Sequence, residues 1–268
     1  MGTQDTFRIP TRRGGLHAER HGGSRVDAPP IVLFHDSLGS VALWRDFPAV
    51  LAQATGHAVI AYDRLGFGRS DPHPGRLAND FVQTEAREGF RALREHLGID
   101  DFIAFGHSVG GGMAVACAAA YPEACRALIT ESAQTFVEDR TIAGIVAAKA
   151  SFAKPGQLDR LRKYHGDKAE WVLHAWIDTW LADDFAQWNL DDDLRRVVCP
   201  TLAMHGRDDE FGSTRHPERI ASLVAGPASM HLLECGHVPH RELPAAVLEL
   251  VARHLVTIPP RQPASPVA

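Results

Sequence analysis

Short apolar runs alternate with longer segments of helical periodicity along most of the chain. Each run has four to six almost continuously apolar residues, and the six runs lie at 31–35, 58–63, 102–106, 127–130, 201–205 and 230–234. Such runs are typical of parallel strands that are covered on both faces. Apolar positions recur at helical spacing in 82–97 and in 245–255. The alternation predicts an α/β fold, with a mostly parallel central sheet flanked by crossover helices.

Three segments depart from this alternation of predicted strands and helices. Residues 7–12 and 16–20 are amphipathic, and we expect them to pair as an antiparallel edge of the sheet. Residues 257–268 are proline-rich and lack periodicity, which predicts a flexible C-terminal tail. The third segment, residues 135–195, is called the helical insertion below. It divides a core domain made of residues 1–134 and 196–256.

The helical insertion has a helical pattern and contains four of the five tryptophans, namely Trp171, Trp176, Trp180 and Trp188. A helical segment placed at the carboxyl ends of parallel strands lies above the crevice where such sheets bind ligands. We therefore interpret it as a lid. Trp176 and Trp180 are four residues apart, hence on one helix face. They are candidates for an apolar ceiling over a substrate, although packing of the lid against the core explains any single tryptophan equally well.

Composition and charge argue against nucleic-acid-binding, metal-binding and membrane proteins. The chain has 268 residues, 45% of them hydrophobic, and a formal net charge of −5. A negative balance provides no field to hold a nucleic-acid backbone. The four cysteines show no metal-ligand spacing, so we expect reduced core thiols and no metal. With no secretion signal and no apolar stretch near 20 residues, the sequence predicts a cytoplasmic protein without a membrane partner.

A candidate nucleophile follows the predicted strand at 102–106. The sequence Gly106-His107-Ser108-Val109-Gly110 is a G-x-S-x-G motif, followed by a helix of small residues. A serine on a sharp strand-to-helix turn exposes its hydroxyl, and the glycines avoid clashes at that turn. The motif alone is weak, because a helix-capping serine in a glycine-rich turn has the same sequence.

Serine needs a base in hydrogen-bond reach, oriented by a carboxylate. Asp208 and Asp209 follow the run at 201–205, and Asp209 is the preferred acid because its neighbour is expected to face solvent. The preferred base is His237, directly after the run at 230–234. Glu131 stays an alternative acid. His240 is an alternative base, although we expect its side chain to hydrogen-bond within its own loop.

Several separated motifs together resemble the α/β-hydrolase superfamily from about residue 30 to residue 255. They are HDSLG at 35–39, YDRLGFGRSD at 62–71, GHSVGG at 106–111, HGRDD at 205–209 and GHVPH at 236–240. The resemblance implies the α/β-hydrolase fold, with Ser108 as nucleophile, Asp209 as acid and His237 as base. It also implies an oxyanion hole made of the backbone N–H groups of Ser37 and Val109.

The oxyanion loop departs from the usual pattern. Asp36 stands where the family commonly has glycine, although the following Ser-Leu-Gly is similar to the loop of 3-oxoadipate enol-lactonases. Asp36 either caps a turn or changes the local geometry. Leu38 in this loop and His107 at the elbow are further candidates for substrate contact, together with the two tryptophans named above.

The resemblance implies a cofactor-independent serine hydrolase of small esters, thioesters or lactones with an apolar portion, acting as a monomer or homodimer. Three other interpretations remain open, two of them catalytic. Meta-cleavage-product hydrolases, which split carbon–carbon bonds, and cofactor-free haloperoxidases share this plan. Hydrolase-fold hormone receptors use a slow triad mainly to bind and signal, so a ligand sensor is the alternative outside catalysis.

Overall fold

The computed structural model describes residues 4–25, 27–256 and 258. Its eight strands are β1 Gln4–Thr11, β2 Gly14–His21, β3 Ile31–Phe34, β4 Val59–Asp63, β5 Phe102–His107, β6 Cys125–Glu131, β7 Thr201–Gly206 and β8 Ala228–Leu233. The helices are α1 Phe47–Thr55, α2 Phe81–Arg87, α3 Gly89–Leu97, α4 Val109–Ala120, α5 Asp139–Phe152, α6 Gln157–His165, α7 Ala169–Trp180, α8 Asp191–Leu194, α9 Arg215–Leu223, α10 Pro239–Glu242 and α11 Pro244–Val256.

The strands form one sheet in the order β1-β2-β4-β3-β5-β6-β7-β8. Strand β2 runs antiparallel to both of its neighbours, and every pair from β4 to β8 is parallel. The predicted parallel sheet and its antiparallel N-terminal edge are therefore confirmed.

Alternate residues of the central strands bury themselves in two separate apolar layers. Ile31 and Leu33 pack with Phe47 of α1 and Val251 of α11 on one face. The intervening side chains of β3 face the other layer, which includes residues of α2, α3 and α4. Burial on both faces explains why these strands are continuously apolar in sequence. The parallel crossovers also bring the carboxyl ends of β5, β6, β7 and β8 to one edge of the sheet.

The helical spacing of residues 82–97 corresponds to two helices, α2 and α3, which meet at Glu88. The backbone of Glu88 leaves the helical region, at φ −114° and ψ −82°. A Cβ at the next residue, Gly89, would lie 2.1 Å from Oε1 of Glu85. The same Oε1 accepts a 2.7 Å hydrogen bond from the hydroxyl of Tyr62. The glycine therefore leaves room for a buried carboxylate, which a continuous helix of larger residues would not.

Helices α5 to α8 lie between β6 and β7, in the region of the helical insertion. Phe136 and Asn189 form an isolated antiparallel bridge, and Leu190 N–H donates to Thr135 O at 2.9 Å, so the two ends of the insertion lie side by side. Of the predicted C-terminal tail, all but residue 258 lies outside the described residues. Across the described part of the chain, no helix is long and apolar enough to span a bilayer.

Candidate active site

The turn between β5 and α4 holds Ser108 in a strained conformation. Its backbone lies at φ 58° and ψ −128°, a region that non-glycine residues rarely adopt. The flanking glycines are needed for close approach. A Cβ on Gly106 would lie 2.0 Å from the carbonyl oxygen of Gly110, and a Cβ on Gly110 would lie 2.1 Å from that of Phe34. The motif therefore makes a tight elbow against β3, as the sequence predicts.

Asp209, after β7, and His237, after β8, form a close pair. Nδ1 of His237 lies 2.9 Å and 2.8 Å from the two carboxylate oxygens of Asp209. The Asp209 side chain is completely buried, and its Oδ1 also accepts hydrogen bonds from the N–H groups of Phe211 at 2.7 Å and Gly212 at 3.1 Å. The carboxylate therefore fixes the ring so that Nε2 is the nitrogen left free for chemistry.

The charge state of Asp209 follows from the same contacts. Burial by itself raises the pKa of Asp209. The hydrogen bond and charge of His237, with the charge of His205 and the N–H of Phe211, outweigh burial, so the pKa lies below its ordinary value. Asp209 is therefore an anion at neutral pH, and its oxygens accept the hydrogen on Nδ1 of His237.

The alternative acid and base pair with each other. His240 Nδ1 lies 2.7 Å from Oε2 of Glu131, and its backbone N–H donates to the same carboxylate. The expectation that His240 bonds within its own loop is therefore wrong, since its partner lies at the end of β6. Asp208 is exposed, and its backbone N–H bonds to Cys235 O at 3.0 Å. Neither Asp208 nor Glu131 contacts the ring of His237 among the hydrogen bonds of the described residues.

The hydroxyl of Ser108 donates to Oε1 of Gln134 at 3.1 Å, and no hydrogen bond joins Ser108 to His237 in the described part of the chain. The two side chains nevertheless line the same cavity. His107 Nε2 donates to the carbonyl oxygen of His237 at 2.8 Å, which ties the elbow to the loop after β8. Attack by Ser108 therefore requires its hydroxyl to turn from Gln134 toward His237, and such tightening on substrate binding is common.

Gln134 was missed by sequence reasoning. It follows β6 without a motif, and an uncharged amide at one position gives no signal comparable to an acid after a strand. Only its position after a parallel strand, at the edge where the elbow lies, pointed toward the site.

Asp36 has two partners in the oxyanion loop. Its Oδ1 accepts the N–H of Leu38 at 2.8 Å, which caps the turn, and its Oδ2 lies 3.5 Å from Nδ1 of His107. Burial raises the pKa of Asp36, but the nearby His107 ring, with His35 and the N–H of Leu38, outweighs burial, so the pKa falls well below its usual range. Burial lowers the pKa of His107, but Asp36, Glu131 and the carbonyl of His237 together raise it above its ordinary value. When His107 is protonated, an ion pair at 3.5 Å joins the oxyanion loop to the elbow.

The backbone N–H groups of Ser37 and Val109 donate no hydrogen bond among those of the described residues. Val109 is the first residue of α4, where a helix leaves its N–H groups without internal acceptors. Both groups stay available as donors, and the positive end of the α4 dipole favours an anion there. Their role as an oxyanion hole remains a prediction.

A cavity of about 300 Å³ lies over Ser108. The candidate contact residues Leu38, His107, Trp176 and Trp180 all line it, together with Asp36, Ser37, Leu43, Gln134, Thr141, Ile145, Arg160, Leu161, Tyr164, Phe211, His237, Val238 and Arg241. Its wall combines apolar side chains with polar groups that include Ser108, Gln134 and His237, a mixture typical of small-molecule sites. Whether those four residues contact a substrate remains a prediction.

The other two tryptophans of the helical insertion do not line this cavity. Trp171 packs against Phe67 and stacks on His73, with ring centroids 5.5 Å and 5.1 Å away. Trp188 stacks on Phe185 at 5.3 Å. Of the four tryptophans, only Trp176 and Trp180 line the cavity. Trp171 fastens the insertion to the core domain, whereas the Trp188 contact lies within the insertion. Within the described residues, no group of three or more His, Cys, Asp or Glu side chains could hold a metal ion.

Comparisons with known proteins agree with this fold. A family model described as the alpha/beta hydrolase fold matches residues 29–173. RutD of Caulobacter sp. (strain K31), named as a candidate carbamate hydrolase, is 24% identical over 241 residues, covering 78% of this chain and 84% of that protein. The 2-hydroxymuconate semialdehyde hydrolase of Pseudomonas sp. (strain CF600) is 26% identical over 248 residues, covering 84% and 86%.

Among solved structures, a thermophilic esterase from Thermogutta terrifontis superposes with a TM-score of 0.72 at 20% sequence identity, covering 94% of this chain and 98% of that one. At such identity the likeness concerns the fold. With the family match across more than half of its length, this chain belongs to the α/β-hydrolase fold family, and it is a hydrolase of that fold.

Proposed function

We propose that this chain is a cofactor-independent serine hydrolase that cleaves small carboxylic esters, thioesters or lactones through an acyl-enzyme. The observation that carries the proposal is the contact, at 2.8 Å, between buried Asp209 and His237, because His237 lines the cavity that also holds the strained Ser108. A carboxylate that orients a histidine in the same cavity as a serine hydroxyl is the arrangement that activates serine for acyl transfer.

The chemistry proceeds in two halves. In the first, Oγ of Ser108 attacks the carbonyl carbon while its proton passes to Nε2 of His237, and the leaving group then takes that proton. The negative oxygen faces the N–H groups of Ser37 and Val109. In the second half, water loses a proton to His237, attacks the acyl carbon and releases the acid and the free hydroxyl of Ser108.

The cavity favours a small substrate with an apolar portion. Trp176, Trp180 and Ile145 contribute apolar wall, and a volume of about 300 Å³ limits the bound part to a modest group. Placing an apolar group there releases water from both surfaces. The helical insertion would cover this group as a lid.

The test is turnover of a series of p-nitrophenyl esters by the wild type and by Ser108→Ala. We expect the variant to lose about 10⁴-fold or more in kcat, since the remaining groups cannot form the acyl-enzyme. Ser222→Ala is the matched control, because Ser222 is exposed and its hydroxyl donates to a carbonyl of its own helix at 3.1 Å. Full activity in Ser108→Ala would reject the mechanism.

A carbon–carbon bond hydrolase of the meta-cleavage type is the second candidate, and the similarity to the 2-hydroxymuconate semialdehyde hydrolase favours it. Such an enzyme would hydrolyse a ring-cleavage diketone faster than any ester of the series. A ligand sensor would instead release about one equivalent of p-nitrophenol and stop, whereas an enzyme turns over repeatedly.

A further inference from the structure

Gln134 is presented to the nucleophile by a backbone that is held on several sides. Ser132 has φ 47°, a strained value for a residue with a side chain, and its N–H donates to Met204 O at 2.9 Å. The N–H of Thr135 donates to Nδ1 of the buried His216 at 3.1 Å. The residues before and after Gln134 are therefore fixed, and strain held in place beside a reactive group points to function.

The segment also packs tightly against the nucleophile helix. A Cβ on Gly111 would lie 2.4 Å from Cβ of Ala133, so α4 and the chain after β6 are in close contact. Gln134 itself is 4% exposed, and its Oε1 lies 3.1 Å from Oγ of Ser108. Its amide is directed at the atom that must attack the substrate.

The other buried polar side chains of the cavity are used elsewhere. His107 donates to the carbonyl of His237 at 2.8 Å, and Thr141 donates to Phe211 O at 2.6 Å. Gln134 differs, because within the described residues its side-chain amide has Ser108 as its only hydrogen-bond partner. When the Ser108 hydroxyl turns to His237, a buried amide oxygen loses its donor, which is unfavourable unless another group replaces it.

The geometry of acyl transfer indicates which group can replace the Ser108 hydroxyl as the hydrogen-bond partner of Gln134. Four groups surround the carbon in the tetrahedral intermediate: Oγ of Ser108, the oxyanion, the leaving group and the acyl substituent. The oxyanion faces the N–H groups of Ser37 and Val109, and the leaving group must face His237, which gives it a proton. The acyl substituent is the remaining group, so it is the one that can face Gln134.

We infer that Gln134 is a specificity-determining residue whose amide hydrogen-bonds a polar group next to the scissile carbonyl. The substrate class is esters of acids with a hydroxyl or amino group on the α-carbon. Such a group donates to Oε1 in place of Ser108 and accepts from Nε2. The inference rests on the proposed function and deepens it, because it selects among acyl groups that the apolar wall alone does not distinguish.

The experiment compares two substrates, the phenyl ester of lactic acid and the phenyl ester of propionic acid, which differ by one α-hydroxyl. Both are assayed with the wild type, Gln134→Met and Gln134→Asn. Each kcat/KM is divided by the rate constant for hydroxide hydrolysis of the same ester, which removes intrinsic reactivity. We expect the wild type to prefer lactate, and both variants to lose about 10-fold of that preference, as for one buried hydrogen bond. Gln187→Met, the same substitution at an exposed position outside the cavity, is the control.

The inference is overturned, without any variant, if the wild-type ratio of kcat/KM for the two esters is no greater than the ratio of their rate constants for hydroxide hydrolysis. It is also overturned if folded Gln134→Met or Gln134→Asn has a lactate-to-propionate ratio of kcat/KM within 2-fold of the wild-type ratio. In both cases turnover of the two esters leaves the proposed function intact. If the wild type hydrolyses neither ester nor any other of the series, the proposed function is rejected, and the inference with it.

Discussion

Replacing Asp209 by asparagine tests the acid of the proposed triad with almost no change in shape. The asparagine oxygen can still accept the N–H groups of Phe211 and Gly212, now 2.7 Å and 3.1 Å from Oδ1. Its NH₂ group would then face Nδ1 of His237, where the carboxylate now accepts at 2.8 Å. Because an NH₂ group donates, it favours the tautomer in which Nδ1 accepts and the proton lies on Nε2, although the asparagine oxygen at the Oδ1 position also lies 2.9 Å from Nδ1.

This tautomer reverses the role of the ring. Nε2 then presents a hydrogen to Ser108 in place of a lone pair, and the imidazolium formed during attack loses its buried counter-ion. The same replacement in an analogous triad lowers kcat about 10⁴-fold. At about 1.4 kcal/mol for each factor of ten, the barrier rises by about 5.5 kcal/mol.

The assay is steady-state hydrolysis of p-nitrophenyl acetate, with Asp208→Asn as the matched control. Asp208 is the exposed neighbour, so we expect its variant to stay within about 2-fold of the wild type. If Asp209→Asn keeps more than a tenth of the wild-type kcat, the assignment of the acid is refuted. If Asp208→Asn loses as much as Asp209→Asn, the effect is not specific to the buried carboxylate.

Three further predictions concern the cavity wall and the buried ion pairs. Trp176→Ala enlarges the cavity, so kcat/KM should shift toward longer acyl chains in a p-nitrophenyl ester series; an unchanged chain-length profile would contradict this. Asp36→Asn removes the partner of His107. Because the pKa of Asp36 is depressed, its ionised form stabilises the fold above about pH 4. Because the pKa of His107 is raised, its protonated form stabilises the fold below about pH 6.5, and this contribution is lost as the pH rises through the raised pKa. The loss of Tm in Asp36→Asn should therefore be larger at pH 5.5 than at pH 9, and an equal loss would refute the ion pair. Glu131→Gln replaces a buried carboxylate that accepts from Nδ1 and the backbone N–H of His240 by an amide with one accepting atom, so unfolding should become easier by about 2 kcal/mol while kcat falls less than 10-fold; a 10⁴-fold loss of kcat would make Glu131 the catalytic acid.

The sheet could be predicted because each strand is recognisable from its own residues, without knowledge of the segments that pack against it. A strand such as β5 is buried on both faces, so almost every residue of it is apolar and the run can be seen without knowing its neighbours. The order of serine, acid and histidine likewise places Ser108, Asp209 and His237 after strands whose carboxyl ends share an edge. Parallel topology then brings them together, whatever their separation along the chain.

The features that sequence reasoning missed depend on the packing of distant segments. The break at Glu88 lies beside Glu85, whose carboxylate contacts Tyr62 of another element, and the partner of His240 lies more than a hundred residues earlier. Helical spacing places Trp176 and Trp180 on one face but cannot say which tryptophans elsewhere turn toward the cavity. Gln134 could not be found either, since its significance lies in one 3.1 Å contact with Ser108.

The most direct test of the central claim is the site at which a fluorophosphonate probe reacts. The probe forms a covalent bond only with a serine whose hydroxyl is activated by a neighbouring base. Peptide mapping by mass spectrometry after labelling should find one equivalent of probe on Ser108, with labelling abolished in His237→Ala. Labelling of a different serine, or no labelling of the folded wild type, would contradict the account.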